Sequence, residues 1–401
     1  MRPEMSITVR IMEGPDVGAI GSLWQALELQ SEASFFQSWS WIGNWLQSMP
    51  GSIRHQLIVA ERSQEVVGLG ILVPQKVVRH VVFRSNALFL NEAGLDEYDF
   101  IVEHNGFLLK SGLESEVLEA CLRYLVQERK GWDELFLSGI RTDNLLAGAP
   151  LLGRLGLHHR ELRSSASPYV DLEMVRLSGG DYLSTISSNR RAQIRRSIRK
   201  YELAGALTLR VAATLNEAMD IFEDLKELHQ SHWTARGEGG SFARTRWEQF
   251  HRNLINARFS HGEIQLARVS AGGKTIGCLY NVVRNGWVSV VQTGFRYEED
   301  PDFRPGYVGH YLAIDYNLGR GHRAYDFLAG ESRYKTSLSN KSHQLTWAVL
   351  QQTRSKFIAE DALRQLKRSG ELFVRTLAGA RLSRPRTNTN YKEISLDVLD
   401  G

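Results

Sequence analysis

This sequence has little cysteine, no secretion-signal pattern and no long apolar run. Its two cysteines, Cys121 and Cys278, lie far apart and outside any Cys-x-x-Cys or Cys/His spacing, which argues against a disulfide framework and a structural zinc site. No segment of about 18 apolar residues occurs, and the first residues lack the apolar core of a secretion signal. We therefore expect no transmembrane segment and a cytoplasmic protein, either free or peripheral to the inner face of the membrane.

The sequence also lacks a strong excess of charge of either sign. Its 49 basic and 45 acidic residues give a formal net charge of +4, which does not indicate a nucleic-acid-binding protein. Hydrophobic residues make up 42% and charged residues 23%, as in ordinary globular proteins, so extended disorder is excluded. A chain of 401 residues exceeds what one hydrophobic core usually supports, and we expect two domains.

The two halves repeat one order of elements. A predicted hairpin over residues 56–75 is echoed by a second over 263–283, and helical patterns flank both. The fold class is therefore predicted as α/β, with an α+β mixed sheet in each half. Ser, Pro and Gly cluster around one short predicted strand, PYVDLEM. We place the division there: residues 1–175 and 176–370 form the domains, and 371–401 form a basic tail.

Positive charge concentrates in the first predicted helix of the second half, at Arg190, Arg191, Arg195, Arg196, Arg199 and Lys200. One interpretation is a solvated face supported by local ion pairs. The other is a surface that binds the phosphates of a nucleotide cofactor, a lipid-linked sugar or tRNA, with Arg191 and Arg195 as candidate contacts. The aromatic residues expected between the charges of an RNA-binding surface are absent here.

The segment FRPGYVGHYL, after a predicted strand over residues 286–295, is the main candidate for chemistry. Gly306 and Gly309 let a ligand approach the backbone closely, and Arg304 can pair with a phosphate. The start of the predicted helix adds unpaired N–H groups and the positive end of a dipole. The alternative is that Pro305 and Gly306 form a plain turn while Gly309 permits close helix packing.

The order of hairpin, third strand, Gly-containing loop and helix resembles that of GNAT N-acyltransferases. The stretches SSNRRAQIRRSIRKYELAG, RPGYVGHYLAIDYNLGRG and YDFLAGESRYK resemble the FemAB-like or CelD-like branch. The likeness covers most of residues 180–350 and extends more weakly to the first half. It implies tandem GNAT-like domains that transfer an acyl group from acetyl-CoA or another acyl-CoA to an amine. The implied cofactor contacts are Arg304, Gly306, Tyr307, Gly309 and Lys335, although the glycine spacing departs from the usual family loop.

Direct acyl transfer needs a group that accepts the amine proton and a donor that steadies the thioester oxygen or protonates the thiolate. Glu331 is the preferred carboxylate and Asp326 the second, while His310 is either a base or a local cap. Tyr334 matches a family Tyr-Lys pair and is either a proton donor or part of surface packing. Trp233 is interpreted as the edge of a substrate pocket or as core, because HQSHW offers no third metal ligand. We predict no metal.

The sequence leads to one favoured function, given first, and two alternatives. The first is an acyl-CoA-dependent enzyme for an amino sugar or another envelope or exopolysaccharide precursor, small or lipid-linked, as the CelD-like resemblance implies. The second is an aminoacyl-tRNA-dependent enzyme of the FemAB type, for which the heptad pattern of a long helical hairpin is missing. The third is a non-catalytic nucleotide-binding module. A homo-oligomer is also left open.

Overall fold

A computed structural model describes residues 6–79, 83–95, 97–98, 100 and 102–364. The predicted basic tail lies outside these described residues. The strands are β1 Thr8–Glu13, β2 Gln56–Arg62, β3 Glu65–Arg79, β4 Phe83–Leu90, β5 Leu108–Leu109, β6 Glu134–Arg141, β7 Leu157–Asp171, β8 Leu207–Val211, β9 Ile264–Ala271, β10 Lys274–Arg284, β11 Trp287–Phe295, β12 Ala324–Asp326 and β13 Lys341–Gln352. The α-helices are α1 Val17–Glu28, α2 Trp39–Ser48, α3 Glu114–Gln127, α4 Thr142–Arg154, α5 Leu172–Leu177, α6 Ser188–Glu202, α7 Leu215–Ala235, α8 Thr245–Arg258, α9 Pro305–Gly319 and α10 Arg333–Leu338.

The described chain forms two compact units. Unit 1 takes its residues from 6–32, 50–163 and 346–364, and unit 2 comprises 33–49 and 164–345. The division of the domains at residue 175 stays a prediction. The strand predicted as PYVDLEM is wrong in extent, because β7 begins at Leu157 and ends at Asp171. The Asp171 carboxylate accepts the N–H of Met174 at 2.8 Å and so caps α5, which turns the last predicted strand residues into helix.

Unit 1 contains an antiparallel run that ends in a parallel strand. β1, β2, β3 and β4 pair antiparallel in chain order, and β6 then pairs parallel with β4. The crossover between them contains α3, which buries Val117, Cys121, Leu122 and Leu125. These side chains recur three and four residues apart, as in the apolar stripe of an amphipathic helix.

Unit 2 repeats the same plan. β8, β9, β10 and β11 pair antiparallel in chain order, and β12 pairs parallel with β11. Here the crossover contains α9, which is buried along most of its length. The predicted mixed α/β fold with two similar halves is confirmed.

Helix α2 is in unit 2, although it comes early in the chain. The Trp41 ring lies 4.8 Å from that of Phe250 on α8, and Asn44 donates to the Phe250 carbonyl at 3.1 Å. Ser40 donates to Glu263 at 2.6 Å. The aromatic residues of this segment are therefore core, and they complete the core of the later unit.

The parallel strands β11 and β12 separate soon after they pair. Only Trp287, Val288 and Ser289 pair with β12, whereas β11 continues to Phe295. Beyond β12 the chain follows β7 instead, because the N–H groups of Phe327 and Gly330 donate to the carbonyls of Pro168 and Ala166, each at 3.0 Å. The two strands therefore diverge, and the region between the end of β11 and residues 327–330 is called the cleft below.

Candidate functional site

The first turn of α9 is buried and has no side-chain cap. Pro305 occupies the first helical position after Arg304, which has φ −120° and ψ 72° and provides no capping hydrogen bond. The first intrahelical bond runs from the Val308 N–H to the Arg304 carbonyl at 3.1 Å. Proline has no N–H. The backbone N–H groups that come before that first bond are therefore those of Gly306 and Tyr307, and they lie at the positive end of the helix dipole. A buried helix start of this kind suits an anionic ligand.

Two guanidinium groups lie beside this helix start. Arg190 lies over the Tyr307 ring at 4.0 Å from the centroid, and Arg304 lies 5.8 Å from the same centroid. Burial lowers the pKa of Arg190, and the charge of Arg304 acts in the same direction, but an arginine keeps its charge at neutral pH. The Nε atom of Arg190 has no hydrogen-bond partner in the described part of the chain. The arrangement can bind phosphate oxygens.

The basic helix α6 is partly paired within unit 2. It begins at the Ser187 cap, whose hydroxyl accepts the Arg190 N–H, and further along Arg196 pairs with Asp302 at 3.2 Å. Lys200 pairs with Asp300. The interpretation as a face supported by local ion pairs therefore holds for Arg196 and Lys200, and anion binding by other residues of α6 stays a prediction. The sequence predicts Arg191 and Arg195 as the anion contacts. Arg191 donates to the Leu183 carbonyl at 3.4 Å, and Arg195 is exposed.

His310 lies at the centre of an aromatic cluster in the cleft. Its ring is stacked on Tyr334 at 5.7 Å and lies 5.1 Å from the Phe327 ring. Its Nδ1 atom is 3.0 Å from the Tyr325 hydroxyl, and its Nε2 atom has no hydrogen-bond partner among the described residues. Burial, together with the nearby charge of Lys335, lowers the pKa of His310 to about 3. The imidazole is therefore neutral at physiological pH.

Tyr334 and Lys335 are buried at the start of α10. The Lys335 ammonium donates to the carbonyls of Ala329 at 2.7 Å and Leu328 at 3.3 Å. A Cβ on Gly330 would lie 2.9 Å from the same Nζ atom. Lys335 therefore holds the turn that follows β12 and places a positive charge next to His310.

The two carboxylate candidates differ in their surroundings. Asp326 is buried and accepts hydrogen bonds from the Ser167 hydroxyl at 3.2 Å and the Leu328 N–H at 2.8 Å. Glu331 is exposed. Asp326 thus stabilises the turn, whereas Glu331 remains accessible to water.

Gly309 lies one turn into α9 and permits close packing. A Cβ at this position would lie 2.7 Å from Cε1 of Phe295, so α9 crosses β11 with almost no space between them. This contact matches the packing interpretation of Gly309.

Trp233 is near the cleft at the end of α7. Its indole Nε1 is buried and has no hydrogen-bond partner in the described part of the chain, and the neighbouring His232 ring lies 4.6 Å from that of Tyr297. Tyr297 is 37% exposed, and the parts of it that neighbouring residues cover raise the pKa of its phenol, as do the phenols of Tyr334 and Tyr307. Aromatic side chains from α7, α9, α10 and the segment after β11 therefore converge.

Two further findings concern metal ligands and membrane-spanning helices. Among the described residues, no group of three His, Cys, Asp or Glu side chains is arranged to hold a metal ion. No described helix is long and apolar enough to cross a membrane.

The separating strands β11 and β12, the uncapped start of α9 and the two arginines beside it all lie within residues 188–336. Residues 188–336 match the family model for the acetyltransferase (GNAT) domain. No curated protein matches the sequence.

Solved structures show the same fold over most of the chain. FemX superposes with a TM-score of 0.56 at 11% identity, over 85% of this chain and 96% of FemX. A conserved protein of unknown function from Bacteroides thetaiotaomicron VPI-5482 gives 0.54 at 12%, over 86% of this chain and 100% of that protein. L-PGS from Bacillus licheniformis gives 0.50 at 12%, over 88% and 98%. The FemAB-like tandem GNAT fold predicted from the sequence is confirmed, and these identities establish the fold alone.

Proposed function

We propose that this protein is an acyl-CoA-dependent N-acyltransferase whose donor pyrophosphate lies at the start of α9. The observation that carries the proposal is the buried, uncapped first turn of α9 between Arg190 and Arg304. Two guanidinium groups and the N–H groups of Gly306 and Tyr307 provide charge and directed donors for a pyrophosphate.

The thioester lies in the cleft, beside His310 and Tyr334. The amine nitrogen attacks the thioester carbon, a C–N bond forms, the C–S bond breaks and the amine loses a proton. A base whose conjugate acid has a pKa of about 3 is too weak to accept that proton efficiently. We therefore assign His310 as a neutral hydrogen-bond donor: when the Tyr325 hydroxyl donates to Nδ1, the imidazole proton is on Nε2, where it stabilises the thioester oxygen.

The remaining proton steps need an acid and a base. Tyr334 donates a proton to the departing thiolate, and Glu331, which is exposed, accepts the amine proton through water. Asp326 keeps a positioning role in the turn through Ser167 and Leu328.

The acceptor is proposed to be the amine of an amino sugar or another envelope or exopolysaccharide precursor. The rings of His232 and Tyr297, which lie 4.6 Å apart beside Trp233, form an edge on which a sugar ring can stack, and the buried Trp233 indole N–H has no hydrogen-bond partner among the described residues. This edge lies on the α7 side of the cleft.

A second candidate function is acyl transfer from aminoacyl-tRNA. It is favoured by Arg195, which is exposed on α6, lies close enough to α9 for its charge to act on the Tyr311 phenol and can contact further phosphates. Both donors carry phosphate and an activated acyl group, so a binding experiment with both is needed.

The experiment is calorimetric titration of the purified protein with acetyl-CoA, longer acyl-CoAs and an aminoacyl-tRNA. We expect acetyl-CoA to bind, and Arg190→Ala and Arg304→Ala each to weaken binding by about tenfold or more, because each removes a charge-assisted contact. An Arg304→Ala, Gly306→Val double variant should lose binding. Arg320→Ala, an exposed arginine just beyond the other end of α9, is the matched control and should bind as the wild type does.

Two results would contradict the proposal. If no acyl-CoA gives binding heat, acyl-CoA is not the donor. Binding of aminoacyl-tRNA instead would support the second candidate. Equal weakening by Arg320→Ala would mean that only net charge matters. Binding followed by turnover of an amine, seen as acylated product by mass spectrometry, separates an enzyme from a nucleotide-binding module.

A further inference from the structure

The segment that leads into α9 carries charge of the wrong sign for an anionic donor. Residues 296–304 include Glu298, Glu299, Asp300 and Asp302. Carboxylates next to a pyrophosphate repel it, most strongly where water is partly excluded. A phosphate-binding helix start therefore needs something that neutralises this segment and fixes its path.

Helix α6 supplies the neutralising charge. Lys200 pairs with Asp300 and Arg196 with Asp302 at 3.2 Å. Asp300 also accepts the Asp302 N–H at 2.9 Å, which ties the two acids into one turn.

Uncharged contacts from the same helix fix the backbone. The Ser197 hydroxyl is buried and accepts the Arg304 N–H at 2.9 Å, directly before the first helical residue of α9. The Tyr201 ring lies 4.8 Å from the Phe303 ring, and the Lys200 ammonium lies 4.9 Å from the same ring.

All of these contacts come from one face of α6. Arg196 and Lys200, like Ser197 and Tyr201, are four residues apart and lie above one another on the helix. Arg190, two turns before Ser197, continues this face to the Tyr307 ring. One side of α6 therefore follows the chain from Asp300 to the first turn of α9.

We propose that α6 is the positioning element of the donor site, with Ser197 as a positioning residue for the backbone and Lys200 as the charge that masks Asp300. This inference rests on the proposed function, because it assumes an anionic donor at the start of α9. In this proposal the residues of α6 that contact the segment before α9 hold the site in place and do not bind the ligand themselves.

The backbone part is tested with Ser197→Ala. Loss of the hydroxyl leaves the Arg304 N–H without its partner, so hydrogen–deuterium exchange of the peptide over residues 296–304 should rise in the ligand-free protein. The acetyl-CoA Kd and KM should rise by about tenfold while kcat changes little, since an amide N–H left unpaired costs about one factor of ten. Ser197→Thr, which keeps a hydroxyl, should restore both readouts.

The charge part is tested with a rescue. Lys200→Met removes the masking charge and keeps the apolar stem, so the acetyl-CoA Kd should rise by about threefold or more at low salt. Adding Asp300→Asn removes the carboxylate that is then exposed to the donor and should return the Kd to the wild-type value. Arg199→Met is the control, because it removes the same charge from an exposed position of α6. It should leave both the exchange over residues 296–304 and the acetyl-CoA Kd at their wild-type values.

The outcomes separate the two proposals. Unchanged exchange over residues 296–304 in both Ser197→Ala and Lys200→Met overturns the positioning role, whatever the ligand result. Failure of Asp300→Asn to rescue Lys200→Met overturns the masking role of Lys200. If the wild type binds no acetyl-CoA, the proposed function fails, and the exchange result alone then decides whether α6 holds this segment.

Discussion

At the scale of single residues, unit 2 contains three buried histidines that stay uncharged. His251 is enclosed by aromatic rings, with Trp247 at 4.0 Å, and its Nδ1 atom is 3.2 Å from the Tyr280 hydroxyl. Burial lowers the pKa of His251 to about 3 and that of His229 to about 4, as burial and Lys335 do for His310. The folded protein therefore excludes protons that these rings accept in water.

These histidines make the stability of the protein fall in mild acid. In the unfolded chain a histidine titrates near pH ~6.5, so below that pH the unfolded state binds protons that the folded state does not. The free energy of unfolding should therefore decrease as the pH falls from about 6.5 to about 4, by about 1.4 kcal/mol per pH unit for each such histidine. Urea unfolding at a series of pH values measures this slope.

His251→Phe should reduce the slope of the free energy of unfolding against pH by the contribution of one proton. Loss of the Tyr280 contact can lower stability, but it does so equally at every pH and leaves this slope unaffected. The control is His261→Phe at an exposed position, which should keep the wild-type slope because that ring is in water in both states. An equal slope for wild type and His251→Phe would show that His251 is protonated in the folded protein.

Residue by residue, the candidate site was only partly predictable. Arg304, Gly306 and Tyr307 are adjacent in the chain, so one glycine-containing segment revealed them together. Arg190 was missed as a specific contact, because its position over Tyr307 depends on the packing of α6 against α9. The sequence contained part of this information, because helical spacing places Arg190 on the same face of α6 as Ser197. The burial of His310 and the exposure of Glu331 likewise follow from tertiary packing.

At the scale of elements, the crossing of α9 over β11 depends on glycine. Phe295 fills the space at this crossing, where a Cβ on Gly309 would lie 2.7 Å from Cε1 and a Cβ on Gly277 of β10 would lie 2.3 Å from Cδ1. The same Phe295 ring lies 5.7 Å from His310. The position of the catalytic candidates is thus coupled to the closeness of helix and strand.

We expect Gly309→Ala to destabilise unit 2. The new methyl group must displace a buried ring, and overpacking of this kind costs about 1–3 kcal/mol, more than alanine gains over glycine in a helix. Thermal or urea unfolding measures the loss, and Phe295→Leu in the same chain should recover part of it. Gly319→Ala, at the other end of α9 where a Cβ meets no atom within 4 Å, is the control and should be neutral or stabilising. Equal stability of Gly309→Ala and wild type would contradict the tight crossing.

Among the elements, strong periodic patterns were predicted and weak ones were not. The hairpins and the stripes of α2 and α3 follow from side-chain periodicity. Helix α4 was missed because it contains Pro150, Gly148 and Gly153, which ordinarily interrupt helices. The Ser-rich stretch before Pro168 forms part of β7, since pairing in the sheet overrides low strand propensity.

At the scale of the whole molecule, the two units share a topology but differ in the first turn of the crossover helix. In unit 1 the crossover helix α3 carries Glu114 and Glu116 in its first turn. In unit 2 the first turn of α9 contains no acidic residue and follows Arg304. Carboxylates at a helix start occupy the place that a phosphate would take and repel it. The repeated fold therefore predicts one donor site and not two.

We therefore expect calorimetry to give one acetyl-CoA per chain. The Arg304→Ala, Gly306→Val double variant should lose all binding heat, because α3 in unit 1 offers no second anion site. Glu114→Gln is the matched control in unit 1 and should leave both stoichiometry and Kd unchanged. A stoichiometry of two, or half of the binding heat remaining in the double variant, would mean that unit 1 also binds the donor and that acidic residues at the start of α3 do not exclude phosphate.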